Sequence, residues 1–239
     1  MQPFNSLDGD GDADGETAYA AIRQLDPAWH ESLRSLEAAT LRGPLSPKIA
    51  RLVWLAIHAS ITSLDREKVR ECIRGALDSG ASKAEILAVL QLCTVLGIHA
   101  IAVAAPILKE SLDAHHSRIE SLSGAAATPA IDKLKKEGFF NSAWLEIENW
   151  DPVWLDRFLA AGMNVNIKSV LGQRTIELLY IAIDVSVTHL YSPGTRRHIE
   201  AALKIGVEPE EILEVLKIAS FQSMLSMQSG ARILLEEID

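Results

Sequence analysis

Residues 171–213 read Leu171-Gly-Gln-Arg174-Thr-Ile-Glu177-Leu-Leu-Tyr-Ile-Ala-Ile-Asp184-Val-Ser-Val-Thr-His189-Leu-Tyr191-Ser-Pro-Gly-Thr-Arg196-Arg197-His198-Ile-Glu-Ala-Ala-Leu-Lys-Ile-Gly206-Val-Glu-Pro-Glu-Glu-Ile-Leu213. The pattern is helix, tight turn, helix, cap and the start of a third helix. Its apolar faces carry Glu177, Asp184, His189, Tyr191 and His198. Titratable side chains set among aliphatic ones point to chemistry here before anywhere else in the chain.

Working outward, helix signals continue in both directions. Asp26-Pro27 and Ser46-Pro47 each read as an N-cap followed by proline at the first helical position. A further helix follows Asp65 and ends at Gly80, and Ser82 with Glu85 three residues on forms a capping box for the next. The last helix of this half runs from about Ile98 to Arg118. No stretch shows sustained strand alternation, so an all-α fold is expected. Ser121–Pro129, small and flexible in composition, reads as a linker.

Beyond that linker the pattern returns. A shift of 126 residues places Leu45 on Leu171, Ala56-Ile57 on Ala182-Ile183, Ala76-Leu77 on Ala202-Leu203 and Gly80 on Gly206. The same shift places Glu85-Ile86-Leu87 on Glu211-Ile212-Leu213 and Ile107-Leu108 on Ile233-Leu234. The expected organisation is therefore a tandem duplication: an acidic disordered tail (1–16), a first repeat (17–120), the linker (121–129) and a second repeat (130–239). The two copies are expected to pack as an intramolecular pseudo-dimer.

With 239 residues the chain can bury a proper core. The formal net charge is −9, and five acids (Asp8, Asp10, Asp12, Asp14, Glu16) precede the first base, Arg23. An acidic chain without a basic stripe argues against a nucleic-acid or anionic-membrane partner. No apolar run of the roughly 18 residues that a membrane span needs is expected from the sequence. Asp10-Gly-Asp-Ala-Asp14-Gly15 resembles the front of a calcium loop, but Ala21 stands where a bidentate Glu is required. The only cysteines, Cys72 and Cys93, lack C-x-x-C spacing, and no signal-peptide pattern opens the chain, so a cytoplasmic location is expected.

Three runs together resemble the carboxymuconolactone decarboxylase and AhpD-like family, in a two-repeat form. They are Arg174-x-x-Glu177-Leu178, His189-Leu-Tyr-x-Pro-Gly-x-x-x-His198, and Ala201-Ala-Leu-x-x-Gly-x-x-x-x-Glu-Ile212, joined by Leu96-Gly97-Ile98-His99 in the first copy. The resemblance implies an all-α unit that pairs and then assembles as a homo-oligomer, a trimer ahead of a dimer. It implies proton-transfer chemistry on a small carboxylated or carbonyl-containing metabolite, as in a lyase of the decarboxylase type. AhpD-like peroxidases carry C-x-x-C ahead of the histidine matching His198, whereas Tyr191 and Gly194 stand there here. Hydroperoxide reduction is therefore disfavoured, since it needs a nucleophilic thiolate and a resolving partner.

The copies have kept different parts. Arg51, Cys72 and Ser63 stand where the second copy has Glu177, His198 and His189, while Leu225 stands where the first has His99. A composite site between the copies follows, with Glu177, His189 and His198 from one side and His99, with His58, from the other. His198 is expected to be the general acid/base. Its carboxylate partner stays open: a hairpin centred near Tyr191 faces His198 with Asp184, whereas the resemblance favours Glu177. His189, Tyr191 and His99 are candidates to polarise substrate, and Arg196 or Arg197 to hold its carboxylate. Cys93 reads as core, and His115-His116 carries no role. His58, His99, His189, His198 and a carboxylate would suffice in number for zinc or iron, but no H-x-x-x-H pair or glycine-rich phosphate loop occurs, so neither metal nor cofactor is expected. A non-catalytic scaffold or ligand-binding member of the family is the alternative.

Overall fold

The computed structural model describes residues 13–122, 126–162 and 165–238. The calcium-like run and most of the acidic tail lie outside them. Every described regular element is helical. The first helix, α1 (Ala13–Leu25), already begins within the stretch expected to be tail.

The caps expected from sequence form as hydrogen bonds. Asp26 accepts from Trp29 N–H at 2.9 Å and opens α2 (Pro27–Thr40). Ser46 opens α3 (Pro47–Ala59), and Asp65 accepts from the Glu67 and Lys68 N–H groups at 3.1 Å to open α4 (Arg66–Asp78). Ser82 and Glu85 exchange their capping-box bonds at the head of α5 (Lys83–Cys93). A 3-10 turn at Thr94–Gly97 leads directly into α6 (Ile98–Ala114). After α7 (Pro129–Glu137), α8 (Leu145–Trp150) and α9 (Pro152–Gly162) come α10 (Val165–Val185), α11 (Ser192–Lys204), α12 (Pro209–Phe221) and α13 (Leu225–Ile238).

The order and spacing of α3–α6 recur in the second half. Leu64 and Leu190, 126 positions apart, both adopt the left-handed region, at φ 44° and 50°. Gly80 and Gly206, at the same separation, take φ 83° and 80° beyond the ends of α4 and α11. Gly172, the counterpart of the Ser46 cap, breaks α10 with φ 73°.

The core is organised on α10, which packs against α3, α5, α11 and α12. Leu178, Leu179, Ile181, Ala182 and Ile183 are buried there with Leu52, Leu55 and Ile57 of α3 and Leu92 of α5. A second apolar cluster joins Val95, Ile98 and Ala102 to Ile131, Leu134, Trp144, Leu155 and Leu159. His58 is buried within this packing, stacked on Trp54 with ring centroids 5.6 Å apart.

The apolar reading of one segment needs correction. Lys83–Ala114 is one helix long and apolar enough to cross a membrane by length and composition. Gln91, Thr94, Gly97 and His99 punctuate the run and hid it from the sequence reading. Core helices pass the same test, and 44% of that window is buried inside the chain.

Two outcomes are expected of core substitutions. Leu179→Ala, at a fully buried position on α10, should cost about 2–5 kcal/mol in urea unfolding. Burial, with the Lys68 charge, holds the His58 imidazole down from 6.5 to about 4. Below about pH 6.5 the unfolded chain takes up a proton that native His58 refuses until about pH 4, so stability falls across that window. The urea midpoint of the wild type should therefore drop more between those two pH values than that of His58→Leu. An equal drop would show that His58 does not titrate as described.

Candidate functional site

The α10–α11 hairpin sets the geometry. Its turn starts at Ser186, whose carbonyl accepts the His189 and Leu190 N–H groups at 2.8 and 3.1 Å. Val187 N–H is tied to the Gln222 side chain at 3.2 Å. Tyr191 N–H then donates to Asp184 O at 2.8 Å, and α11 begins at the next residue. The hairpin is therefore centred between Val187 and Thr188, not near Tyr191. That register settles the partner of His198: Glu177 lies opposite it, with Nδ1 and Oε2 2.7 Å apart.

The Glu177–His198 pair is held on both sides. Gln173 Nε2 donates to the other carboxylate oxygen, Oε1, at 2.5 Å. Tyr180 stacks on the His198 ring with centroids 4.5 Å apart. Neither supporting residue was singled out from sequence, although Gln173 stands four residues before Glu177 and Tyr180 three after it, both neighbours on a helical face. A carboxylate can only accept, so Nδ1 of His198 donates and Nε2 is the ring nitrogen left over for other partners. Arg174, conspicuous in the motif, instead donates to Gly206 O at 2.6 Å and pairs with Glu211, clamping the start of α12.

A second group forms where the two halves meet. His99, at the head of α6, places Nδ1 2.8 Å from Nε2 of His189 and stacks on Tyr191 with centroids 3.9 Å apart. Its Nε2 lies 3.8 Å from Oδ1 of Asp184. Asp184 is 1% exposed, and its Oδ2 has no hydrogen-bond partner among the described residues. Gly194 makes room for this carboxylate, since a Cβ there would lie 2.1 Å from Oδ2. Gly194, in the first turn of α11, is thus a packing requirement of Asp184.

Electrostatics follow from this seating. Burial pushes the Asp184 carboxyl up to about 8 against the pull of Arg197. Burial, then the charges of His189 and His198, hold His99 down to about 4. Burial also lowers His189, and it raises the Tyr191 phenol with help from Asp184. Because the His198 charge is felt at His99, the dyad and the second group share one field. The carboxylates form a buried floor and the imidazoles a partly exposed rim: side-chain exposure is 7% for Glu177 and about twice that, 16% and 15%, for His198 and His99.

Not every candidate gathers here. Arg197 is half-buried, donates to Phe139 O at 2.8 Å and lies over the Trp144 ring. Arg196 is exposed. His58 stays in the first half, on Trp54, with no ring contact or hydrogen bond to the cluster among the described residues. The corresponding seat in the first half holds Arg51 and Cys72, with the buried Glu37 charge acting on Arg51. Cys72 and Cys93 are buried free thiols, pushed up to about 12 and about 11 by burial, so neither presents a thiolate. A shallow groove along α2, over Glu31, Ser32, Ser35, Leu36 and Ala39, shares no residue with the cluster.

Residues 152–232, from α9 into α13, match the model of the carboxymuconolactone decarboxylase family. The whole fold is similar to the crystal structure of a protein from Burkholderia xenovorans, provisionally described as a gamma-carboxymuconolactone decarboxylase subunit. The TM-score is 0.82 and the identity 29%, over 92% of this chain and 90% of that one. No curated protein matches the chain. The family match over the half that carries Glu177 and His198, with the whole-length likeness in fold, supports the resemblance to the carboxymuconolactone decarboxylase and AhpD-like family.

Proposed function

We propose that the chain is a lyase of the carboxymuconolactone decarboxylase type, acting by acid–base catalysis on a small carboxylated or carbonyl-containing metabolite. The observation that carries this reading is the 2.7 Å Glu177–His198 pair, fixed by Gln173 and Tyr180 and set beside His99, His189 and Tyr191. In decarboxylation the bond to the departing carboxylate breaks, its electrons pass into a conjugated carbonyl, and the carbon that lost carbon dioxide takes a proton. His198 supplies that proton from Nε2, while Glu177 stabilises the charged imidazole and fixes its tautomer. Tyr191 and His189, on the rim, polarise the carbonyl that receives the electrons. Arg197, whose charge reaches Asp184 and Tyr191, attracts an anionic substrate.

The same reading takes the chain as two copies of one helical unit, 17–120 and 130–239. The paired left-handed positions Leu64/Leu190 and Gly80/Gly206 support it. It also takes the protein as cytoplasmic, free of nucleic acid and membrane, and as a homo-oligomer, a trimer ahead of a dimer. Exposed apolar side chains repeated in both halves favour assembly: Leu77 with Leu203, Leu87 with Leu213, and Ile107-Leu108 with Ile233-Leu234. A ligand-binding protein without turnover is the competing reading, favoured by the Arg51 and Cys72 that fill the first half's seat.

Lactone and keto-acid substrates distinguish the two. His198→Ala should lower kcat by roughly 100- to 10,000-fold, the usual worth of a positioned acid/base group. Glu177→Gln should lower it by less, because the imidazole remains. Wild-type turnover that neither change reduces would remove the assignment. Saturable binding of a carboxylate without turnover would establish the competing reading.

A further inference from the structure

We infer that His99, His189 and Asp184 form a binding site for one divalent transition-metal ion. The inference rests on the second group alone and stands independently of the acid–base reading of His198.

The three donors come from three separate elements: the head of α6, the turn after α10, and the last part of α10. One ligand atom from each lies within 4.8 Å of the others. No two share a helix at ligand spacing, so a search for paired histidines along the sequence does not find them. The two ring nitrogens of His99 and His189 stand 2.8 Å apart. Both lie within reach of one ion held at about 2.0–2.1 Å from each, given a small opening of the pair towards a tetrahedral angle. Without an ion, one imidazole must donate to the other; an ion held by both would need both of these nitrogens deprotonated.

Asp184 supplies the independent sign. A carboxylate buried to 1% exposure normally accepts several hydrogen bonds, yet Oδ2 accepts none among the described residues, and Oδ1 has only His99 Nε2 at 3.8 Å. Arg197, whose charge reaches it, is turned to the Phe139 carbonyl. The protein keeps this acid against the glycine at 194 and, among the described residues, gives its carboxylate no side-chain hydrogen bond. A cation held jointly with two imidazoles satisfies it.

Two histidines and one carboxylate select a zinc- or iron-like ion over magnesium or calcium, which take oxygen ligands. Three protein donors leave coordination positions open. The partly exposed imidazole rim puts those positions where a carboxylate or carbonyl oxygen of a small molecule can reach them.

The test uses the full chain, stripped with a chelator and dialysed. Zn(II) is titrated calorimetrically, and Co(II) is followed by its visible absorption. The wild type should bind one ion per chain. His99→Ala, His189→Ala and Asp184→Asn should each weaken binding at least tenfold. A His115→Ala/His116→Ala double variant, which removes the exposed histidine pair, should bind as the wild type does. His189 lies in a partly exposed turn, so its variant keeps the test open should Asp184→Asn fail to fold, as circular dichroism would reveal. Absence of saturable one-to-one binding, or binding that survives His99→Ala and His189→Ala together, would overturn the inference. Because affinity is read without turnover, that failure would leave the role of His198 untouched.

Discussion

Two acids on one face of α10 have to be accommodated in an apolar interior, and much of the second half is built around how. Glu177 and Asp184 are seven residues apart, about two helical turns, and both are buried. Removing a carboxylate from water is costly unless it is paired or protonated. Glu177 is paired from its own side of the molecule, by Gln173 on the same helix and His198 on the next. Asp184 is not: it meets the packed backbone of Gly194 and, from the other half of the chain, the His99 imidazole. The two acids on one helix thus have two chemistries, one a fixed hydrogen-bonded dyad and the other a carboxyl pushed towards neutrality.

That difference ties the halves together functionally as well as by packing. The second half carries the dyad complete, whereas the imidazole facing Asp184 is on α6 of the first. At the matching positions the first half has Arg51 and Cys72, and it carries at His99 the histidine that the second half lacks at Leu225. One assembled cluster results, in place of two equivalent ones.

The helices and their boundaries were legible because they are written locally. Aspartate and serine caps and proline at the first helical turn are short-range effects, and those at Asp26, Ser46, Asp65 and Ser82 formed as expected, whereas α6 stops at Ala114, short of the expected Arg118. The gathering of His99, His189 and Glu177 with His198 was legible from the 126-residue internal match, since residues present in one half and missing from the other pointed from half to half. The register of the hairpin was not. It depends on Ser186 ending α10 and on Leu190 accepting a left-handed backbone, and a leucine gives no sign of that in the sequence. His58 was misplaced for a related reason: its position matches Asp184, but a tryptophan one turn earlier captures its ring. Gln173 and Tyr180 passed unnoticed because their roles depend on a partner known only once the register is known.

The helix from Lys83 to Ala114 has a consequence for the order of synthesis. Ribosomes deliver this apolar segment well before α10 exists, and α10 is what covers one of its sides. The nascent first half therefore displays uncovered aliphatic surface for as long as elongation takes to reach residue 185 and beyond. Burial of that surface is completed only once α10 has been made.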